Sequence, residues 1–378
     1  MSNPVLPGAT IGVLGGGQLG RMLCVAARSM GYRLVVFDPD ADSPAGRIAD
    51  QHICADYADA TALAELARCC DVITTEFENI PAGSLHSLAQ TTPVFPGARA
   101  LEIAQHRARE KRFAMQAGLQ PVSFAEIHCR DDIASAVADI GAPAILKSAT
   151  LGYDGKGQAL VENETQALEA FVAMGEVTCV LEQKIAIARE ISVIVARNRE
   201  GASGCFPVAE NVHVNGILHT SVVPARVERA IADLARQQAI ALADSLDYVG
   251  VLAVEFFISE QGELLFNEMA PRPHNSGHYS KDACVTSQFE QHTRMICGLP
   301  PGDMRLTSPV VMVNMLGDLW PPAWMTILKH PEIKLHLYGK KEARPGRKMG
   351  HFNVLADNVD VALQKANAVF AELAGGKI

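Results

Sequence analysis

GVLAVEFFISEQGELLFNEMAPRPHNSGH, residues 250–278, holds two apolar, β-prone runs, VLAVEFF and LLFNEM, joined by polar SEQGE. It reads as a β-hairpin. Taking Gln261 and Gly262 as a two-residue turn sets Glu260 opposite Glu263 and, further along both arms, Glu255 opposite Glu268. Cross-strand carboxylates lie about 5 Å apart at Cβ and repel one another unless something positive stands between them. The alternative is a solvated hairpin whose two Glu side chains splay into water. The neighbouring Val, Phe and Leu favour burial instead. A hard divalent cation with oxygen ligands suits a buried pair, and Mg²⁺ presenting nucleotide phosphates is the occupant expected.

The surrounding composition narrows the class. A chain of 378 residues exceeds what one hydrophobic core organises, so two or three domains are expected. A net charge of -9 argues against nucleic acid and anionic membrane as main partners. There is no apolar run of membrane-spanning length and no charged-then-apolar leader, which points to a cytoplasmic location. The 9 cysteines show no C-x-x-C spacing and fall mostly in apolar runs, as small core residues.

In chain order, TIGVLGGGQLGRMLCVAARSMGYRLVVFD (10–38) spells strand, glycine loop, helix, strand. Gly15, Gly17 and Gly20 match G-x-G-x-x-G, and Asp38 stands where a dinucleotide fold places its ribose-binding acid. The pattern establishes only that backbone amides can meet an anion at a helix N-terminus. DQHIC, DVITTEFENI and TPVFPG add strand-like pieces around a helix at ATALAELARC, so the first hundred residues read as a small parallel α/β domain. Glu76 and Glu78 lie just past a strand end, where open α/β sheets bind ligands. Residues 99–118 read as one helix stopped at Gly118.

Next comes a smaller unit of strands and helices, one helix capped by Asp131 and one by Asn163. Within it Lys147 ends the apolar strand PAILKS, and ATLGYDGKGQALV follows with Gly152, Gly155 and Gly157 around Asp154 and Lys156. So glycine-dense a loop between two strands suits a flap whose amides wrap phosphates, although it is not a P-loop. An amphipathic helix over residues 228–246 feeds the hairpin. The last third holds a buried strand, VVMVNMLGD, then the basic stretch YGKKEARPGRKMGH, suited to gripping a phosphate ester. A final helix capped by Asp357 closes the chain.

With GVLGGGQLGRM, TEFENI, LGYDGKGQ, VEFF, NEMAPRPHNSGH and RPGRKMGH in this order, the sequence resembles the ATP-grasp ligases over essentially its whole length. Within them it is similar to the branch that carboxylates aminoimidazole ribonucleotide in purine synthesis. The resemblance implies an α/β, α+β-decorated ATP-grasp fold: a Rossmann-like pre-ATP-grasp domain (1–112), a small central lid domain (113–181) and a C-terminal ATP-grasp domain (182–378). It implies ATP and Mg²⁺ as cofactors, aminoimidazole ribonucleotide and bicarbonate as substrates, ADP, phosphate and the carboxylated amine as products, and a homodimer.

Carried over by position, Arg107, Lys147 and the flap Gly152, Tyr153, Asp154, Gly155, Lys156, Gly157 and Gln158 meet the ATP phosphates. Glu182, Gln183, Lys184 and Ile185 form the adenine edge, Glu190 takes the ribose, and His213 and Asn267 complete the nucleotide site. Glu255 and Glu268 hold Mg²⁺. Gly17, Gln18 and Leu19, with Lys341, Arg347 and Lys348, take the ribonucleotide phosphate. Glu76, Tyr153, Asp154, Arg272, His274 and Asn275 surround the aminoimidazole and bicarbonate, with Arg272, His274, Asp154 and Lys147 catalytic. Asp154 and His274 both stand as acceptors of the amine proton. Two positions depart from the pattern: Ala270 replaces an expected Asn, leaving the metal shell to water or phosphate oxygen, and His106 replaces an expected Asp. Two rivals stay open, a sister ligase acting on formate and an NAD-binding oxidoreductase built on G-x-G-x-x-G.

Overall fold

The apolar runs pair as three sheets in the structure, a computed structural model that describes residues 3–150, 152 and 157–375. The first is parallel, in the order Gln51–Ile53, Arg33–Phe37, Thr10–Leu14, Val72–Thr75. Its central strand Thr10–Leu14 is buried along its whole length, as expected of a strand with helices on both faces. The second is small and antiparallel: Phe124–Ile127, Cys179–Gln183, Ala144–Ser148, Gln158–Val161. Because Gln183 pairs with Ala144 and Glu182 with Ile145, the strand crosses the expected boundary after residue 181, and these two residues belong with the small sheet.

The third sheet has nine strands, and it sets the site. From one edge it runs Leu264–Ala270, Gly250–Ser259, Ile187–Arg197, Ala209–Val214, Ile217–Val223, Val310–Leu316, Lys348–Leu355, Ile333–Leu337, with Ser203–Cys205 against Ile187–Arg197. The C-terminal basic stretch therefore continues the sheet that holds the hairpin. Helix Arg229–Ser245 buries Ala235, Ala239, Leu242 and Ala243 against this sheet.

The hairpin pairs Glu255 with Glu268, as counted from the sequence, but by a different route. Ser259 donates to Glu263 O at 3.0 Å, so the turn holds Glu260, Gln261 and Gly262, the last at φ +83 as the left-handed closing position requires. Phe256 then faces Phe266, and a bulge at Asn267 inserts one residue before Glu268 meets Glu255. The longer turn and the bulge cancel.

Three further expectations change. The helix read over 99–118 is two, Ala98–Ala104 and Arg107–Gln116, parted where the Arg107 amide leaves the helical pattern to reach Ala149 O at 2.9 Å. Asp131 makes no cap bond; Asp132 takes the His128 and Cys129 amides instead. The last helix, Val359–Gly375, is capped by Asn358, which accepts from the Val361 amide, rather than by Asp357. Among the described residues no helix is long and apolar enough to cross a membrane.

Candidate active site

The hairpin end, the glycine loop and the basic stretch enclose one cleft of about 740 Å³. Its walls include Gly17, Gln18 and Leu19, Glu76 and Glu78, Arg107, Gly152, Glu268, Arg272, His274, Asn275, Arg347 and Lys348. Lys341 is not on that wall; it pairs with Asp42 on the surface, while Lys340 and Arg344 of the same stretch line the cleft. Tyr153, Asp154, Gly155 and Lys156 lie outside the described residues.

The glycine loop is closed by the protein's own acids. Gly16 donates to Asp38 Oδ2 at 2.6 Å, Gly17 to Glu76 Oε1 at 2.8 Å and Gly20 to Glu76 Oε2 at 3.0 Å. A Cβ at Gly15, whose φ is +101, would stand 2.7 Å from Glu76 Cγ. Glycine is required there by both conformation and space. Burial pushes the Glu76 carboxyl above its ordinary range, and the two amide bonds oppose that shift. Asp38 holds the Gly16 amide and the Tyr57 hydroxyl, so the position of a ribose-binding acid is taken up internally. What remains for a ligand is the first turn of helix Gln18–Ser29, where the Gln18 and Leu19 amides have no intrahelical partner.

The hairpin shows the opposite condition. Glu255 is 8% exposed and its Oε1 is buried without a hydrogen-bond partner. Burial first, then the Glu268 charge, holds the Glu255 carboxyl above the usual carboxylate range. Such a pair needs a cation. Among the described residues there is no group of three His, Cys, Asp or Glu able to hold a metal, so the protein side offers the two carboxylates. That donor set fits Mg²⁺, which keeps water and phosphate oxygens around one or two carboxylates. Arg107 reaches Glu268 Oε2 at 3.4 Å and Gly152 O at 3.2 Å, tying the pair to the root of the glycine-dense loop.

Glu190 and His213 are bonded at 2.5 Å beside this pair. Burial opposes the charged His213 ring, and Glu190, Glu255 and Glu268 outweigh it, so its pKa stands above the ordinary value. Asn267 is the bulge residue, and Lys111 Nζ donates to its carbonyl at 3.3 Å. Lys147 does not extend into the cleft; it donates to Glu182 Oε2 at 2.7 Å, and Lys111 stands 3.2 Å from Glu182 Oε1. Burial lowers Lys147 despite this partner, whereas two ammonium groups overcome burial at Glu182 and bring it down to about 2. Lys111, 1% exposed, has no motif to betray it; its only signal was a lysine one turn after Arg107. Gln183, Lys184 and Ile185 follow Glu182 at the end of an interior strand of the small sheet, and Gln158 pairs with Lys147 on its neighbour, next to Gly157 at φ +68.

On the substrate side Arg272 is held by Glu78, with Nη2 at 2.6 Å and Nε at 2.9 Å from Oε2. Arg272 Nη1 also donates to Pro273 O at 3.2 Å, so the guanidinium that lines the cleft is fixed from both sides. Asn275 is buried, lines the cleft, and neither of its side-chain amide atoms has a partner. Such a group costs free energy unless a ligand or water meets it. Glu110, absent from the sequence reading, accepts the Met269 amide at 2.6 Å; burial and the Glu268 charge push it up to about 8. His278 is not on the cleft wall: fully buried, it bonds Gln288 and lies tilted against the His351 ring.

Residues 112–289 match the ATP-grasp domain, 8–105 the ribonucleotide synthetase preATP-grasp domain, and 310–365 the phosphoribosylaminoimidazole carboxylase C-terminal domain. N5-carboxyaminoimidazole ribonucleotide synthase of Bacillus subtilis strain 168 is 45% identical over 377 residues, 99% of this chain and 98% of the relative. That of Brucella melitensis biotype 1 is 48% identical over 347 residues, 91% and 96% of the two chains. An ADP complex of an N5-carboxyaminoimidazole ribonucleotide synthetase superposes with TM-score 0.93 at 45% identity over 98% of each chain. The Aspergillus clavatus N5-carboxyaminoimidazole synthase, in complex with ADP and 5-aminoimidazole ribonucleotide, gives 0.90 at 30% identity over 97% of this chain and 98% of its own.

Proposed function

The chain belongs to the N5-carboxyaminoimidazole ribonucleotide synthases of the ATP-grasp ligases, and from that premise we propose how its residues perform the reaction. Bicarbonate is joined to the amine of 5-aminoimidazole ribonucleotide while ATP is cleaved to ADP and phosphate, a step of purine synthesis. The observation that carries this reading is the cleft itself, whose lining brings together Gln18, Leu19, Arg347, Lys348 and Glu268, the last paired across the hairpin with the buried Glu255.

Glu255 and Glu268 would hold Mg²⁺, which when bound neutralises the phosphates of ATP. Arg107 and Gly152, both on the cleft wall, would meet the terminal phosphoryl group. Lys147, which is bonded to Glu182 and stands off that wall, and Tyr153, Asp154, Gly155, Lys156, Gly157 and Gln158 are assigned to the same phosphates on the family resemblance. Bicarbonate oxygen attacks phosphorus and ADP leaves, giving carboxyphosphate, and positioning and charge neutralisation do most of the work. Glu190 and His213 take the ribose, Asn267 borders the nucleotide, and the edge Glu182 to Ile185 takes the base. The Gln18 and Leu19 amides, Gly17, Arg347 and Lys348 hold the phosphate of the second nucleotide, and Asn275 fills its empty bonds with the aminoimidazole. Arg272, clamped by Glu78, orients the planar oxyanion. The amine nitrogen then bonds the carboxyl carbon, the carbon–oxygen bond to phosphate breaks, and the amine loses a proton. Carboxyphosphate hydrolyses readily, so the site must exclude water while the amine attacks.

The same reading divides the chain into units 1–112, 113–181 and 182–378, with Glu182 and Gln183 moved to the second, and includes a cytoplasmic homodimer. Bicarbonate labelled with ¹⁸O tests it. One labelled oxygen should appear in the phosphate released, because bicarbonate supplies the attacking atom; unlabelled phosphate would mean that water is the nucleophile.

A further inference from the structure

A row of polar side chains crosses the apolar interior of the large sheet and ends at His274. Ser192, Asn211 and Ser221 come from three neighbouring strands and are 1%, 4% and 0% exposed. Ser221 Oγ donates to Asn211 Oδ1 at 2.8 Å, Asn211 Nδ2 to Ser192 Oγ at 2.9 Å, and Ser192 Oγ to Ser276 Oγ at 2.7 Å. With its oxygen receiving that proton, Ser276 has its own to give, and His274 Nδ1 stands 2.9 Å away. Packing alone does not call for four buried polar groups aligned in one direction, since an apolar row would fill the same space.

A second bond fixes the direction independently of any hydroxyl. The Ser276 backbone amide, which can only donate, points at His274 Nδ1 at 3.3 Å. Nδ1 is therefore an acceptor, and the neutral ring carries its proton on Nε2. The backbone of His274 is fixed as well. Gln288, fully buried, accepts the His274 amide at 2.9 Å and donates to the His274 carbonyl at 2.7 Å. Ring and backbone are thus both held, and Nε2 faces the hairpin carboxylates, 3.7 Å from Glu255 Oε1, too far for a hydrogen bond to it.

We propose that Ser221, Asn211, Ser192 and Ser276 are positioning residues that lock His274 as a hydrogen-bond donor through Nε2. In the carboxylation described above, on which this role rests, the ring then stabilises negative charge on the bicarbonate-derived oxygens. A ring that accepts at Nδ1 and donates at Nε2 has no lone pair turned to the amine. The amine proton goes elsewhere.

The test has two arms. Nitrogen-15 spectra of the histidine rings in the unsubstituted protein, with the His274 signals identified by their loss in His274→Gln, should show a protonated Nε2 and an unprotonated Nδ1. A proton on Nδ1 overturns the proposal. In the second arm, the side-chain amide of His274→Gln can still donate but cannot serve as a base. Its kcat should stay within about tenfold of the parent, while His274→Ala loses on the order of 10²–10³, the usual cost of one oxyanion donor. Equal loss in both variants overturns the donor role. Ser276→Ala should lower kcat and leave the KM for ATP unchanged, with Ser276→Thr restoring it; a parallel rise in the KM for ATP would mark a merely structural serine and contradict the proposal. The ring spectra need no turnover. If the parent forms no bicarbonate-dependent ADP, the carboxylation reading fails while the tautomer result stands or falls by itself.

Discussion

The glycine loop and the hairpin both gather carboxylates, and they treat them in opposite ways. At the loop, Asp38 and Glu76 fill the amides of Gly16, Gly17 and Gly20, so the pattern that reads as a dinucleotide site is saturated by the protein itself. At the hairpin, Glu255 faces Glu268 with a buried oxygen left over, and Asn275 nearby has an amide with nothing to bond. Converging amides record only a local geometry. Unsatisfied buried atoms record an expected ligand, because each one destabilises the fold until something meets it.

The largest effect that would break this contrast is at the hairpin. Glu268→Gln should lower turnover on the order of a thousandfold or more, because several kcal/mol of charge stabilisation depend on the pair. Thermal unfolding of that variant should change little, since the repulsion with Glu255 is removed together with the attraction to Arg107. Near-normal ADP formation with Mg²⁺ would show that the pair holds nothing.

The loop should respond in stability instead. Glu76→Ala strands the Gly17 and Gly20 amides and should cost roughly 1–3 kcal/mol per lost partner, read as a lowered melting temperature. An unchanged melt would mean that these amides wait for a ligand after all. Glu182 belongs with the loop in its charge, for Lys147 donates to its Oε2 and Lys111 pairs with it electrostatically, although its Oε1 has no hydrogen-bond partner. Its pKa is held at about 2, below the ordinary 4.5, so its stabilising share is present above pH about 4.5 and is lost as the pH falls toward 2. Glu182→Gln should flatten that limb of the acid-unfolding curve; an identical acid limb in both proteins would contradict the pairing. The smallest expected effect is none: NAD should leave the melting temperature where it is, while ATP with Mg²⁺ raises it.

Much of this was legible in the sequence, for reasons tied to particular residues. The opposition of Glu255 and Glu268 is legible because the extra turn residue before Glu263 and the bulge at Asn267 cancel; either alone would have turned Glu268 to the other face. The split helix was not legible. Neither Gln105 nor His106 is a helix breaker, and the break comes from distant contacts, Gln105 Nε2 to the carbonyls of Glu78 and Ile80, both at 2.7 Å, and the Arg107 amide to Ala149 O. In the basic stretch the sequence locates the patch but not the side chains that turn inward, which are Lys340 and Arg344 rather than Lys341. The polar row under His274 left a trace, Ser192, Asn211 and Ser221 inside neighbouring strands, but its link to the histidine depends on the contact of Ser192 with Ser276, 84 residues on.

The most direct test is ADP formation from Mg-ATP and bicarbonate, with and without 5-aminoimidazole ribonucleotide, while loss of the free amine is followed. Strong stimulation by the nucleotide, with one amine lost for each ADP formed, is the predicted result. ADP formation that ignores the nucleotide would contradict the account of the cleft.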